Sequence, residues 1–345
     1  MFSKNFIRLN WITLVLIFLV IIAGSVVRTS GSGMGCPDWP KCFGNWVPPT
    51  NEAQLPKDYR KVYGEKRVAK VEKFARFLTA LGMKETAEKI KKDPRTYEEE
   101  PFNARRTWTE YGNRLVGFLA GNGVLIIFLW GFWKYRKDRR LVWLSFFNLV
   151  AIGLNGWFGS IVVATNLVPW TITVHMFLAL LVVCLQLMLI RRISPVHQKT
   201  LNLPVAMKWL IGIILVITAY QMFLGTQVRE YIDQLALQGL GRDSWTSRFG
   251  WAFFIHRSFS WAVLVLMILL VFLNYKTDKV RSVYWAFLVL VIELTGGVLL
   301  AYVDMPGFVQ VSHLLCATVL FGILFLQFIR LRPLTKPLSK SSIRG

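Results

Sequence analysis

Apolar blocks and polar connections alternate along the whole chain. Eight blocks of roughly 20 mostly apolar residues can be counted, the length a helix needs to cross a hydrocarbon core about 30 Å thick. Their approximate limits are 11–30, 108–133, 141–163, 171–190, 209–228, 251–273, 282–303 and 308–329. Each is expected to be a transmembrane helix, so the fold class is an all-α membrane protein. One connection, 31–107, is much longer than the rest. Within it, Lys57 to Asp93 carries an amphipathic helical pattern, with Val71, Phe74, Leu78 and Leu81 along one stripe. This segment is expected to form a solvated lid over the mouth of the helices.

Composition sharpens this picture. Of 345 residues, 54% are hydrophobic and 17% charged. That excludes a disordered or nucleic-acid-binding body, and its blockwise distribution argues against a soluble enzyme. No nucleic-acid partner is expected, and the bilayer itself is the main surrounding. The net charge is +22, from 41 Lys and Arg against 19 Asp and Glu. The positive residues gather in alternate connections. Lys4 and Arg8 precede block one, and residues 134–140 read KYRKDRR. Arg191, Arg192, Lys199 and Lys208 follow block four, Lys276, Lys279 and Arg281 follow block six, and Arg330, Arg332, Lys336, Lys340 and Arg344 end the chain. The positive-inside rule then puts both termini in the cytoplasm and 31–107 on the other side. The first block resembles a signal peptide, but no A-x-A-like cleavage site follows, and the repeat described next requires it as a span. No Arg- and Ser-rich transit peptide is present, so a bacterial inner membrane is expected.

The chain is written twice. Gly24-Ser25-Val26-Val27-Arg28 near the end of block one is matched by Gly225-Thr226-Gln227-Val228-Arg229 near the end of block five. Asn113-Arg114 opens block two, and His256-Arg257 opens block six. Gly159 is followed 16 residues later by His175, and Gly297 by His313 at the same interval. Two parallel four-helix bundles are therefore expected, 1–200 and 201–345, each able to hold a cofactor between facing helices.

Among four histidines, His197 lies in a polar connection and is expected to be solvated. His175, His256 and His313 lie inside spans, where an ionisable residue is costly. Any one alone is either a functional group or a hydrogen-bonded packing residue. Three at matched depth favour function. His256 and His313 supply the two neutral imidazoles that a six-coordinate haem iron takes, whereas zinc would want further ligands. Arg229 and Arg257 near the same end are either propionate partners or snorkelling interfacial residues. Arg28 and Arg114 are their counterparts in the first half. There, Asn113 stands in place of the first histidine, and Glu110 lies one turn earlier. The second half is read as two histidines without an accompanying acid, an electron-transfer site. The first half is read as a site where something reacts. A helix-terminal carboxylate with no further role is the alternative for Glu110. Cys36 and Cys42, in a Gly/Pro/Trp-rich loop on the oxidising side, suggest a disulfide; two free thiols or a redox-cycling pair are the alternatives. Cys184 and Cys316 read as packing residues.

Taken together, GSGMGCPDWPKC after block one, WTEYGNRLVG opening block two, and the late His-bearing spans resemble haem A synthases over nearly the whole chain. The resemblance implies oxidation of the C8 methyl of haem O to the formyl group of haem A, with oxygen from water or dioxygen. It implies a haem b cofactor on His256 and His313. It also implies a substrate haem in the first half, where His175 and Glu110 match the family's ligand and acid. Asn113 departs from the family's histidine, which leaves His175 as the one ligand and Asn113 as a hydrogen-bonding group at an open face. The 43–104 insertion is longer than the resemblance leads one to expect. No flavin or nicotinamide fingerprint is present, so electrons are expected to be exchanged with an external carrier. Haem O synthase and the cytochrome oxidase assembly machinery are the implied partners. A b-type electron-transfer cytochrome, or a haem carrier without catalysis, are the competing readings.

Overall fold

The computed structural model describes residues 2–80, 82–92, 101–164, 169–241, 244–245, 248, 250–277 and 279–333. Leu81, Asp93 and the tail positions Lys336, Lys340 and Arg344 lie outside the described residues. Among the described residues the structure is all-helical. Its one extended pairing is an isolated bridge between Cys42 and Asn45. The helices of more than one turn of α geometry are α1 (Lys4–Thr29), α2 (Tyr59–Ala80), α3 (Lys84–Lys92), α4 (Ala104–Lys134), α5 (Arg139–Ala164) and α6 (Pro169–Ile193). They continue with the short α7 (Pro195–Gln198), then α8 (Val205–Leu237), α9 (Trp251–Lys276), α10 (Arg281–Tyr302) and α11 (Gly307–Arg330).

Eight of these, α1, α4, α5, α6, α8, α9, α10 and α11, are long and apolar enough to cross a membrane. Six contain their apolar block whole, and α1 and α10 stop one residue short of the end of theirs. Most run past the block that predicted them. The end of α8 is an example: the block stops at 228, yet the helix continues to Leu237. Val228, Ile232 and Leu235 keep a helical apolar stripe there, and it packs against Trp245 and Met305. Pro204 precedes α8 and Pro169 opens α6, where the missing N–H costs nothing.

The chain divides into two compact units. One comprises Met1–Phe18, Gly123–Leu149 and Leu180–Gly345; the other comprises Leu19–Asn122 and Val150–Ala179. In the first, α8, α9, α10 and α11 share a core of Met207, Ile211, Ile214, Met267, Leu270 and Leu324, among others. A second cluster joins Phe6, Ile127, Leu141, Leu189 and Ile193. Lipid is as apolar as these side chains, so close packing and polar ties must add cohesion. One tie is fully buried. Asn148 Nδ2 donates to Gln186 Oε1 at 2.8 Å, Gln186 Nε2 donates to the Asn10 carbonyl at 2.9 Å, and Asn10 Nδ2 donates to the Phe6 carbonyl at 2.9 Å. It links α5, α6 and α1. Asn274 closes the turn into α10, its Oδ1 accepting the Val280 N–H at 2.9 Å. His197 departs from its expected solvation. It is half-buried, with its ring 5.6 Å from that of Trp11, and burial and the nearby Arg330 charge pull its pKa down.

In the second unit the described residues of the long connection carry two helices, α2 and α3, where the amphipathic pattern lies. The helices α2 and α3 bury Val71, Phe74, Ala75, Leu78, Ala87 and Ile90 against one another and against Ile161. Trp170 stacks on Phe74 with centroids 6.2 Å apart. Each large apolar side chain withdrawn from water there contributes roughly 1.5–3 kcal/mol. The predicted stripe is thus the packing face. The other cluster gathers Cys36, Cys42, Phe43, Leu55, Tyr59 and Tyr63. The disulfide between Cys36 and Cys42, with Cα atoms 4.9 Å apart, closes the loop at its centre.

Candidate functional site

The two histidines of the second half meet. His256 on α9 and His313 on α11 have ring centroids 6.3 Å apart and ring planes at 83°. A bond of about 2 Å from nitrogen to iron on each side, plus roughly 1 Å from nitrogen to ring centre, separates two axial imidazoles by roughly 6 Å. The observed spacing fits an iron between the rings. His313 is held from behind: its Nδ1 lies 3.1 Å from the Glu293 carbonyl and 3.2 Å from Glu293 Oε1. That leaves Nε2 as the nitrogen available to a metal. Glycines give both rings their space. A Cβ added at Gly296 would lie 3.4 Å from His313 Nδ1, one at Gly297 3.5 Å from His313 Cε1, and one at Gly225 3.7 Å from His256 Cε1. Gln221 Nε2 donates to the His256 carbonyl at 3.2 Å, while His256 Nδ1 faces the Gln221 backbone without closing a hydrogen bond.

The second half therefore does contain an acid at its histidine pair, contrary to the expectation of two histidines without one. Glu293 carries that role. Its signal was present in the sequence as a lone carboxylate inside an apolar span, in VIELTGG, four residues before Gly297. Arg229 is engaged by Asp233 Oδ1 at 2.9 Å and by Gln310 Oε1. Arg257 lies over the rings of Phe253 and Phe254, 5.8 and 5.6 Å from their centroids.

His175 and Asn113 have different surroundings. His175 on α6 rests against Gly159 on α5, where an added Cβ would lie 3.1 Å from its Cε1. Its Nδ1 turns to the Asn155 backbone without a well-formed hydrogen bond. Asn113 on α4 faces Gly24 on α1, whose added Cβ would lie 3.9 Å from Asn113 Oδ1. That oxygen is buried and has no hydrogen-bond partner in the protein. Arg28 is half-buried at the end of α1. An imidazole backed by glycine and an orphaned buried amide oxygen are what a site shaped for a flat, polar-centred guest would show.

Glu110 and Arg114, one turn apart on α4, grip the disulfide loop. The Cys36 N–H donates to Glu110 Oε2 at 2.8 Å, and Arg114 pairs with Glu110 Oε1. The same guanidinium donates to the carbonyls of Cys36 at 2.7 Å and Lys41 at 3.0 Å, and to that of Asp38. Thr107 Oγ1 adds a bond to the Gly35 carbonyl at 2.9 Å. Gly35 is needed for this approach, since a Cβ there would lie 2.6 Å from the Arg106 backbone. Pairing the loop with the opening of block two could not be read from spacing alone, because 74 residues separate Cys36 from Glu110.

Residues 7–325 match the COX15-CtaA family of cytochrome oxidase assembly proteins, and the chain belongs to that family. Individual relatives are similar at different ranges. A protein of Shewanella oneidensis named heme A synthase is 47% identical over 51 residues, 14% of this chain and 16% of that protein. Another so named, from Bradyrhizobium diazoefficiens, is 24% identical over 222 residues, 62% of this chain and 54% of that protein. The chain thus spans about half the length, or less, of these two relatives. A third, from Geobacillus kaustophilus, is 23% identical over 342 residues, 94% of this chain and 91% of that protein.

Proposed function

We propose that the protein is a haem A synthase that oxidises the C8 methyl of haem O to the formyl group of haem A. One observation carries this reading. Gly159 backs His175 as Gly297 backs His313, but where Gly225 faces His256, Gly24 faces Asn113. The same cradle is built twice, and its ligand set is altered in one copy. This supports a parallel repeat of two four-helix halves, 1–200 and 201–345, one holding a permanent haem b and the other receiving haem O. A cytochrome made only for electron transfer gains nothing from that asymmetry.

In this reading His256 and His313 hold haem b, which supplies one-electron redox chemistry when bound. His175 holds the substrate through its Nε2, and Gly159 leaves room for the ring. Asn113, with its buried, unpartnered Oδ1, would orient a water or another polar guest at the substrate haem. Glu110, fixed in direction by Arg114 and the Cys36 N–H, would exchange a proton at its carboxylate during the oxidation. Arg229 and Arg257 serve the propionates of haem b, Arg229 trading one present acceptor, and Arg28 and Arg114 stand in the corresponding places for haem O. Electrons pass to an external carrier, haem O comes from a haem O synthase, and the product serves oxidase assembly. The positive connections support a bacterial inner membrane with both termini in the cytoplasm and 31–107 outside.

The test is co-expression with a haem O synthase in a host that makes no haem A, followed by extraction and mass identification of total haem. Haem A or hydroxylated haem O, absent without this protein, is the expected result. Recovery of haem B and haem O alone would leave the carrier or electron-transfer reading in its place.

A further inference from the structure

We infer that Glu293 is a positioning residue for the haem b ligand His313, and that its carboxylate sets the haem's midpoint potential low. This inference rests on the reading of His256 and His313 as haem ligands. It starts from a cost. A carboxylate within a transmembrane helix is costly. Glu293 lies in α10, with its side chain 14% exposed. Something must make its retention worthwhile.

Satisfying His313 is not that reason. The Glu293 main-chain carbonyl already accepts from Nδ1 at 3.1 Å, and any residue at this position would offer the same carbonyl. The side chain adds a second acceptor, Oε1, at 3.2 Å, while Oε2 is buried without a hydrogen-bond partner. What the side chain adds is a carboxylate behind the imidazole, whose oxygen accepts from Nδ1 and whose negative charge the positive charge of a bound iron would favour. Both increase electron donation from Nε2 to a bound iron and favour its ferric state. Gly296 and Gly297, one turn further along α10, let the His313 ring sit close enough for this contact.

The repeat strengthens the case. Glu293 precedes His313 by 20 residues, and the residue 20 before His175 is Asn155. Asn155 offers the same backbone position, and its Oδ1 is likewise buried without a partner, but it carries no charge. The carboxylate is thus placed behind the histidine of the permanent cofactor and withheld from that of the substrate. A tuned potential matters for a group that must cycle electrons. It matters less for one that is bound, altered and released.

The experiment uses the full chain purified with haem b, comparing wild type, Glu293→Gln and Glu293→Asp by potentiometric titration of the low-spin haem absorbance. Glu293→Gln keeps shape and an acceptor but removes charge. It is expected to raise the midpoint so that the ferrous-to-ferric ratio at a fixed potential increases about tenfold, which is about 59 mV for one electron. Glu293→Asp, with the carboxylate drawn back by one methylene, is expected to shift the same way by less. It serves as the reading if Glu293→Gln does not fold. A merely structural role would lower haem occupancy or melting temperature and leave the potential of the retained haem unmoved. That unmoved potential, in a haem-loaded variant, overturns the inference alone. Wild type without a low-spin haem, or a His313→Ala variant that keeps it, overturns the ligand reading and this inference with it.

Discussion

At the residue scale, the contacts of individual glycines give unequal expectations for one added methyl group. At Gly159 a Cβ would press on the His175 ring at 3.1 Å, closer than side chains normally approach, while at Gly297 the corresponding distance to His313 is an ordinary 3.5 Å. Gly159→Ala should therefore lower haem O turnover several-fold, and Gly297→Ala should be milder in its effect on haem b content. Gly153→Ala, with nothing within 4 Å, should change neither. Pyridine haemochrome content and product analysis on the three purified variants check this. Arg114 offers a second case. Its planar fork serves three loop carbonyls and Glu110 at once, a pattern that a lysine ammonium cannot reproduce. Arg114→Lys is expected to cost about 2–4 kcal/mol, given charged hydrogen bonds lost in a mostly buried place. Faster protease cleavage within residues 36–45 would show the loosened loop; wild-type cleavage rates would count against the clamp.

At the scale of elements, the amide chain from Asn148 through Gln186 to Asn10 ties α5, α6 and α1 inside an apolar surrounding. Interhelical hydrogen bonds in membranes average about 0.6 kcal/mol and reach about 1.7. Gln186→Leu removes bonds to both neighbours and leaves the Asn148 amide unpaired, so a loss of about 1–2 kcal/mol is expected. Thermal unfolding in detergent should show a lower midpoint, and an unchanged midpoint would mean that packing alone holds these helices. The existence of each spanning helix was legible because a 20-residue apolar run has few other stable states. Helix ends were less legible. The extension of α8 to Leu237 depends on Trp245 and Met305, partners whose approach no periodicity announces. The α2 stripe was legible as well, through Val71, Phe74 and Leu78. Its packing surface, Ile161 on α5, was not.

At the scale of the whole molecule, the asymmetry of charge between alternate connections predicts an orientation. Lys57→Cys, exposed in the long connection, is expected to react with a membrane-impermeant thiol reagent in intact cells. Lys137→Cys, exposed between α4 and α5, should react only after the membrane is opened. The reverse pattern would invert the topology and place the disulfide loop on the reducing side. Cys36 and Cys42 themselves should label after reduction, since the disulfide occupies both thiols.

The sequence by itself determined the number of spans and the family, and singled out the histidines and cysteines whose surroundings the structure describes. These follow from local facts: run length, charge between runs, and motifs carried on contiguous residues. The pairing of Cys36 with Cys42 was within its reach because six residues of turn-rich chain leave the two thiols close. Tertiary structure alone decided what stands behind each functional group. That Glu110 and Arg114 hold the disulfide loop, that Glu293 sits behind His313, and that Arg229 is shared by Asp233 and Gln310 are consequences of helix rotation and approach. A span that is apolar on nearly every side gives little amphipathic signal to fix its rotation, so which face meets which neighbour is settled by packing and by a few buried polar contacts.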